Sequence, residues 1–62
     1  MKEVVTLRIV GSVPFGTKGT VVDKYVYMGQ RYIVVRFETG DVLDFGEASH
    51  PLISYKSRIK FI

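Results

Sequence analysis

The chain has 62 residues, nine of them basic and six acidic, which gives a formal net charge of +3, and it has no cysteine. This length allows one domain, spanning 1–62, and the lack of cysteine excludes disulfides and thiolate metal sites. A hydrophobic content of 47% argues against a disordered chain. With no signal-peptide pattern and no apolar run near the ~20 residues of a membrane helix, we expect a cytoplasmic protein with no membrane partner.

The first element is a strand near the N-terminus. Val5, Leu7 and Ile9 alternate with Thr6 and Arg8, and this period of two predicts a half-buried strand that turns its apolar residues inward.

A loop rich in glycine follows at 11–19. Gly16 and Gly19 stand where the chain leaves the loop for a strand, so we expect positive φ or a close backbone approach there. Valine at either position should be badly tolerated.

Two strands form the middle of the chain. The stretch 20–28 is rich in β-branched and aromatic residues, and 31–37 alternates again. Between them, Gly29-Gln30 predicts a two-residue turn of type II′. The inward residues of the third strand are Ile33, Val35 and Phe37, and the outward ones are Tyr32, Val34 and Arg36.

The C-terminal part adds two shorter strands. A reversal at 38–41 leads to a strand over 42–45 with Leu43 and Phe45 inward. Breakers at 46–51 predict a turn, and 56–62 alternates with Ile59 and Phe61 inward and Arg58 and Lys60 outward. No window has a helical period, so we predict an all-β fold, a small five-stranded barrel, closed or half-closed.

Several of these stretches carry a resemblance. They are Leu7-Arg8-Ile9-Val10, Gly11-Ser12-Val13-Pro14-Phe15 and 16–22, followed by 32–37 and 42–45. Together, over residues 4–45, they resemble the KOW-type segment of SH3-like barrels, with 59–62 closing the barrel. Such barrels occur in transcription elongation factors of the NusG kind and in ribosomal proteins, so the resemblance implies an SH3-like barrel that acts as a binding module.

Charge is unevenly distributed along the chain. Residues 1–37 hold six basic residues against two acidic ones, 38–55 hold four acidic residues and no Lys or Arg, and 56–62 hold three basic residues. A bipolar distribution of this kind produces a directed field that can orient a partner during encounter.

Basic and aromatic residues form the main candidate site. In SH3-like barrels the first and last strands pair, which implies that Thr6 and Arg8 lie outward beside the basic C-terminal residues. Arg31, Tyr32, Val34 and Arg36 would form a second outward face with Tyr25 or Tyr27. The predicted nucleic-acid or partner-binding residues are Arg8, Lys18, Arg31, Tyr32, Arg36, Lys56, Arg58 and Lys60.

These residues predict a non-catalytic regulatory module that docks onto a larger nucleoprotein assembly in transcription or translation. It would contact nucleic acid, weakly and in a salt-dependent way, or a nucleic-acid-binding protein.

An alternative is a small protein-binding adaptor or inhibitor, for example a virus-encoded one, that uses complementary charge and no nucleic-acid contact. Its acidic face would be Glu38, Asp41, Asp44 and Glu47.

Catalysis and cofactors are not expected. The four carboxylates lack EF-hand spacing, His50 is the only histidine, and Ser49 has no nucleophile-elbow context. We therefore predict no enzyme activity, no metal and no cofactor. Self-association through outward apolar residues such as Val10, Val34 or Tyr32 stays open.

Overall fold

The computed structural model describes residues 2–46 and 58–62. Its five strands are β1 (Glu3–Thr6), β2 (Lys18–Tyr27), β3 (Gln30–Phe37), β4 (Val42–Gly46) and β5 (Ile59–Phe61). They form one antiparallel sheet in the order β4-β3-β2-β1-β5, curled into a half-barrel. The all-β prediction is confirmed for the described residues. The predicted site residues Glu47 and Lys56, and most of the predicted turn at 46–51, lie outside them.

The core lies on the concave side of the curled sheet. Its buried hydrophobic side chains are Val4, Val10, Val13, Val35, Phe37, Phe45 and Ile59. The rings of Phe37 and Phe45 meet edge to face, with centroids 6.1 Å apart, an arrangement that the aromatic quadrupole favours. The inward alternation predicted for the third and fourth strands is confirmed, since Ile33 and Leu43 also pack against this cluster.

The first strand ends earlier than predicted and faces the other way. Val4 and Thr6 are its buried residues, whereas Leu7 is 42% and Ile9 71% exposed beyond the strand's end. The prediction that Leu7 and Ile9 point inward is therefore wrong, as is the outward position predicted for Thr6.

Thr6 is buried because the loop after β1 satisfies its hydroxyl group. Its Oγ1 donates to the carbonyl oxygen of Pro14 at 2.7 Å and accepts from the Thr17 amide at 2.8 Å. The Thr6 amide and carbonyl also bond to Thr17 and Gly16. Burial of a hydroxyl group costs little free energy when its hydrogen bonds are satisfied in this way. These bonds hold the loop across one end of the sheet.

The same loop adds two valines to the core. Val10 and Val13 exchange backbone hydrogen bonds of 2.9 and 2.8 Å around a tight turn, and both are buried. Val10 is thus a core residue, and its prediction as an outward contact for self-association is wrong.

Both glycines that the sequence marks behave as predicted. Gly16 has φ +80°, where a β-carbon is strained. Gly19 is a close approach instead: a β-carbon there would lie 2.7 Å from both Phe37 Cδ1 and Val35 Cγ1. Gly19 therefore leaves the space that these two core side chains occupy.

The turn between β2 and β3 is one residue earlier than predicted. Tyr27 pairs with Gln30, so Met28 and Gly29 are the central residues, with φ of 51° and 77°. Two positive φ values define a type I′ turn, whose twist matches that of the strands. The predicted type II′ turn at Gly29-Gln30 is wrong.

A β-bulge divides β2 into two halves. Val21 pairs with Val35, but the next pair on β3 is Asp23 with Val34, so β2 holds one extra residue. Because side chains alternate along a strand, this insertion exchanges the faces for the rest of β2. Lys24 consequently lies on the concave side, opposite Ile33, and Tyr25 lies on the convex side, opposite Tyr32.

Among the described residues, no helix is long and apolar enough to cross a membrane.

Candidate binding surfaces

Two lysines flank Val5 on the convex side of the sheet. Val5 pairs with Lys60 on β5 and with Lys18 on β2, so the three residues form a row across three strands. Neighbouring strands are ~4.8 Å apart, which sets the two lysine backbones ~10 Å apart. This distance is close to the Debye length at ~0.1 M salt, so salt screens the two charges from each other only in part.

Arg58 extends this row. The Leu7 amide donates to the Arg58 carbonyl at 2.7 Å, which places Arg58 opposite Leu7. Arg8 is exposed and follows Leu7 beyond the end of β1. The predicted pairing of the first and last strands is confirmed. We call Arg8, Lys18, Arg58 and Lys60 the cationic edge.

The convex side also carries carboxylates. Glu3 pairs with Thr20, which pairs in turn with Arg36. Glu38 donates its backbone amide to the Lys18 carbonyl, and its side chain is exposed. The cationic edge is therefore bordered by two acidic residues, whose negative charges reduce its electrostatic attraction for phosphate.

The rings of Tyr25 and Tyr32 lie stacked at the far end of the convex side. Their centroids are 5.1 Å apart and their planes are 11° from parallel. The Tyr25 hydroxyl donates to Asp44 Oδ2 at 2.6 Å. This hydrogen bond, aided by desolvation and by the charge of Asp44, raises the pKa of Tyr25 to about 12, because ionisation would set two anions side by side.

Arg31 does not share a face with Tyr32. Consecutive residues of a strand point to opposite sides, and Arg31, which pairs with Val26, lies on the same side as Ile33. The prediction of one outward face holding Arg31, Tyr32 and Arg36 is wrong in that respect. Arg36 is exposed on the convex side, paired with Thr20 and Val42.

The acidic residues of the β3–β4 region are largely engaged within the chain. Asp41 accepts from the Thr39 hydroxyl at 2.6 Å and from the Ser12 hydroxyl at 3.5 Å, which holds the turn in place. Asp44 accepts from Tyr25. Of the described members of the predicted acidic face, Glu38 and Asp44 are exposed and Asp41 is half-buried.

A trough runs along the concave side where the β2–β3 hairpin extends past the core, and Asp23, Tyr25 and Tyr32 of the convex side also border it. One part has a volume of about 220 Å³ and a second about 570 Å³; they meet at Lys24 and Ile33. We call both parts together the trough. Its described lining residues are Lys2, Val21, Val22, Asp23, Lys24, Tyr25, Val26, Arg31, Tyr32, Ile33, Phe45 and Phe61.

No pattern in the sequence predicts this trough. Lys24 reaches it only because the bulge exchanges the faces of β2. Lys2 joins it at the other end, where its Nζ lies 5.6 Å from the centre of the Phe61 ring, within cation–π range.

No metal-binding cluster is present in the part of the chain that the structure describes: no three His, Cys, Asp or Glu side chains there come together.

Comparison with family models, with curated proteins and with solved structures finds no match for this chain.

Proposed function

We propose that this protein is a non-catalytic, SH3-like binding module that docks onto a nucleoprotein assembly through its cationic edge. The observation that carries the proposal is the row of Lys60, Val5 and Lys18 across three strands, with Arg58 and Arg8 alongside. Three cations on or next to paired strands, together with exposed Arg8 beyond the end of β1, suit a phosphate backbone, which they would contact without reading sequence.

The SH3-like assignment is part of the same proposal. Its support is the order of the strands: four consecutive strands pair in sequence, and the fifth returns to pair with the first. The resemblance of residues 4–45 to KOW-type segments supports it independently.

The adaptor alternative has weaker support. It needs carboxylates that are available to a basic partner, but Asp41 and Asp44 already accept hydrogen bonds from Thr39 and Tyr25. Displacing those bonds would cost part of the binding energy. By contrast, no hydrogen bond between described residues involves a side chain of the cationic edge.

The test measures how binding of a short single-stranded oligonucleotide depends on salt. Four phosphate contacts predict a log–log slope near ~−2.8, so affinity should fall about 50-fold between ~50 and ~200 mM salt. The double variant Lys18→Gln with Lys60→Gln should keep about half of that slope. Fluorescence anisotropy with a labelled strand gives both values.

A matched control removes two cations elsewhere. Lys24→Gln with Arg31→Gln lowers the net charge equally but leaves the cationic edge intact, so its slope should equal that of the wild type. A second variant, Glu38→Gln, should tighten binding, because it removes a carboxylate next to Lys18. Equal losses in both double variants, or no binding at ~50 mM salt, would refute the proposed function.

A further inference from the structure

We propose that the trough binds an acidic peptide segment of a protein partner. One large apolar side chain of the segment would sit against Val26 and Ile33, and its carboxylates would face Lys24 and Arg31. This surface is separate from the cationic edge and gives the module a second, protein-directed contact.

The shape of the smaller cavity fits one side chain. Phe45 forms its floor and is almost fully buried, while Ile33 and Val26 form its walls. A cavity of 150 Å³ with such a lining can hold a benzene ring, so 220 Å³ has room for an aromatic or large aliphatic side chain.

In the part of the chain that the structure describes, apolar surface there is left exposed. Val26 is 68% exposed, although it occupies a strand position whose neighbours on the same side, Ile33 and Phe45, pack inward. Exposed apolar side chains beside a concave cavity are the usual composition of a binding site.

The charges determine the kind of partner. Lys24 and Arg31 border the smaller cavity, and Lys2 borders the larger one. Asp23 is the one carboxylate among the described lining residues, and its Oδ1 accepts a hydrogen bond from the Lys24 amide at 2.8 Å. Three cations around an apolar floor complement a segment in which acidic residues flank an apolar one.

Nucleic acid suits this surface less well. The walls of the smaller cavity that reach solvent include the aliphatic Val26, and the aromatic floor, Phe45, is only 2% exposed. The rings of Tyr25 and Tyr32 stack on each other, which covers one face of each. Binding of bases requires open aromatic faces, whereas an apolar peptide side chain needs only the cavity.

The experiment uses three synthetic peptides, each with a fluorescent label. The first has the core Asp-Glu-Phe-Glu-Asp; the second replaces its phenylalanine with serine; the third, Lys-Lys-Phe-Lys-Lys, reverses its charge. We expect the first to bind, with amide NMR shifts at Lys24, Arg31 and Ile33, and the other two to bind at least about tenfold more weakly.

The two double variants introduced above supply the matched comparison. Lys24→Gln with Arg31→Gln should weaken binding of the first peptide about tenfold, whereas Lys18→Gln with Lys60→Gln should change it less than about twofold. All four substituted side chains are exposed, so their loss should not disturb the core. Circular dichroism checks that each variant is folded.

Four outcomes would overturn the proposal. They are equal weakening in both variants, equal binding of the phenylalanine and serine peptides, trough shifts produced by the oligonucleotide rather than by the peptide, and concentration-dependent trough shifts without peptide, which would identify a second copy as the occupant. Because the oligonucleotide and the peptide are assayed against the same variants, failure of one proposal is distinguishable from failure of the other.

Discussion

The two ends of the β2–β3 hairpin are built from the same two strands but differ in what surrounds them. At the near end, Gly19 packs against Phe37 and Val35, with the loop after β1 across the end of the sheet. At the far end, Val26 and Met28 are 68% and 87% exposed. Among the described residues, the packing that stabilises the hairpin is therefore at the near end, and the far end leaves apolar surface exposed.

The bulge between Val21 and Asp23 separates these two regions. Before the bulge, every second side chain of β2 faces the core. After it, the alternation is reversed, and this places Lys24 in the trough. Bulges often redirect side chains in this way. Here one inserted residue makes the second half of β2 border the trough instead of the core.

The largest effect should come from the near end. Gly19→Val would force a side chain into space that Phe37 and Val35 occupy, at a cost of ~3 kcal/mol or more. A domain of this length has only ~3–9 kcal/mol of stability, so urea unfolding should show a large loss or no folded state. Thr20→Val, next along the strand on the opposite face, is the control and should change stability by less than ~1 kcal/mol.

Removing the Thr6 hydroxyl should have the next largest effect. Thr6→Val keeps the shape but leaves the Thr17 amide without its bond to Oγ1 and takes one donor from the Pro14 carbonyl. Loss of such part-buried hydrogen bonds costs ~1–3 kcal/mol. Thr17→Val removes only an exposed bond to the same carbonyl and should cost less; equal costs would show that the loop is not held through Thr6.

The turn at the far end offers a small gain in stability. Met28 holds φ 51°, a conformation that asparagine adopts more readily. Met28→Asn should therefore stabilise the protein by up to ~1 kcal/mol in thermal unfolding. A loss of stability instead would mean that the exposed methionine side chain contributes packing that the turn depends on.

The smallest effect at neutral pH concerns Tyr25 and Asp44. Because the folded-state pKa of Tyr25 is raised from 10.0 to about 12, its contribution to stability is present below pH 10 and is lost as the pH rises through 12. Asp44→Asn should return the pKa of Tyr25 toward 10. Titration of tyrosinate absorbance should show a phase near pH 12 in the wild type that moves toward pH 10 in the variant; an unchanged curve would contradict the hydrogen bond.

Much of the fold follows from the sequence because its signals are local. Alternation of Ile33, Val35 and Phe37 indicates one buried face. Gly16 indicates a positive φ and Gly19 a close approach of neighbouring atoms. The first strand was predicted with the wrong face because Thr6 is buried through hydrogen bonds to a distant loop, which hydropathy does not indicate.

The candidate site was predictable to a similar extent. Arg58 and Lys60 lie beside β1 through the pairing of the first and last strands that the resemblance implies. Lys18, which the sequence predicts at a loop tip, joins them as the first residue of β2. Lys24 could not be found, because a bulge has no clear sequence signature here. Arg31 is predicted on the wrong face because the prediction places it with Tyr32, its neighbour in the chain, although successive residues of a strand point to opposite sides.

The most direct test of the cationic edge as the docking surface is an amide NMR titration with a short single-stranded RNA at ~50 and ~200 mM salt. We predict shifts at Lys18, Arg58 and Lys60 that largely disappear at the higher salt, with the far end of the hairpin unchanged. Shifts centred on Lys24 and Arg31, or no shifts at either salt, would contradict the proposal that the cationic edge binds nucleic acid.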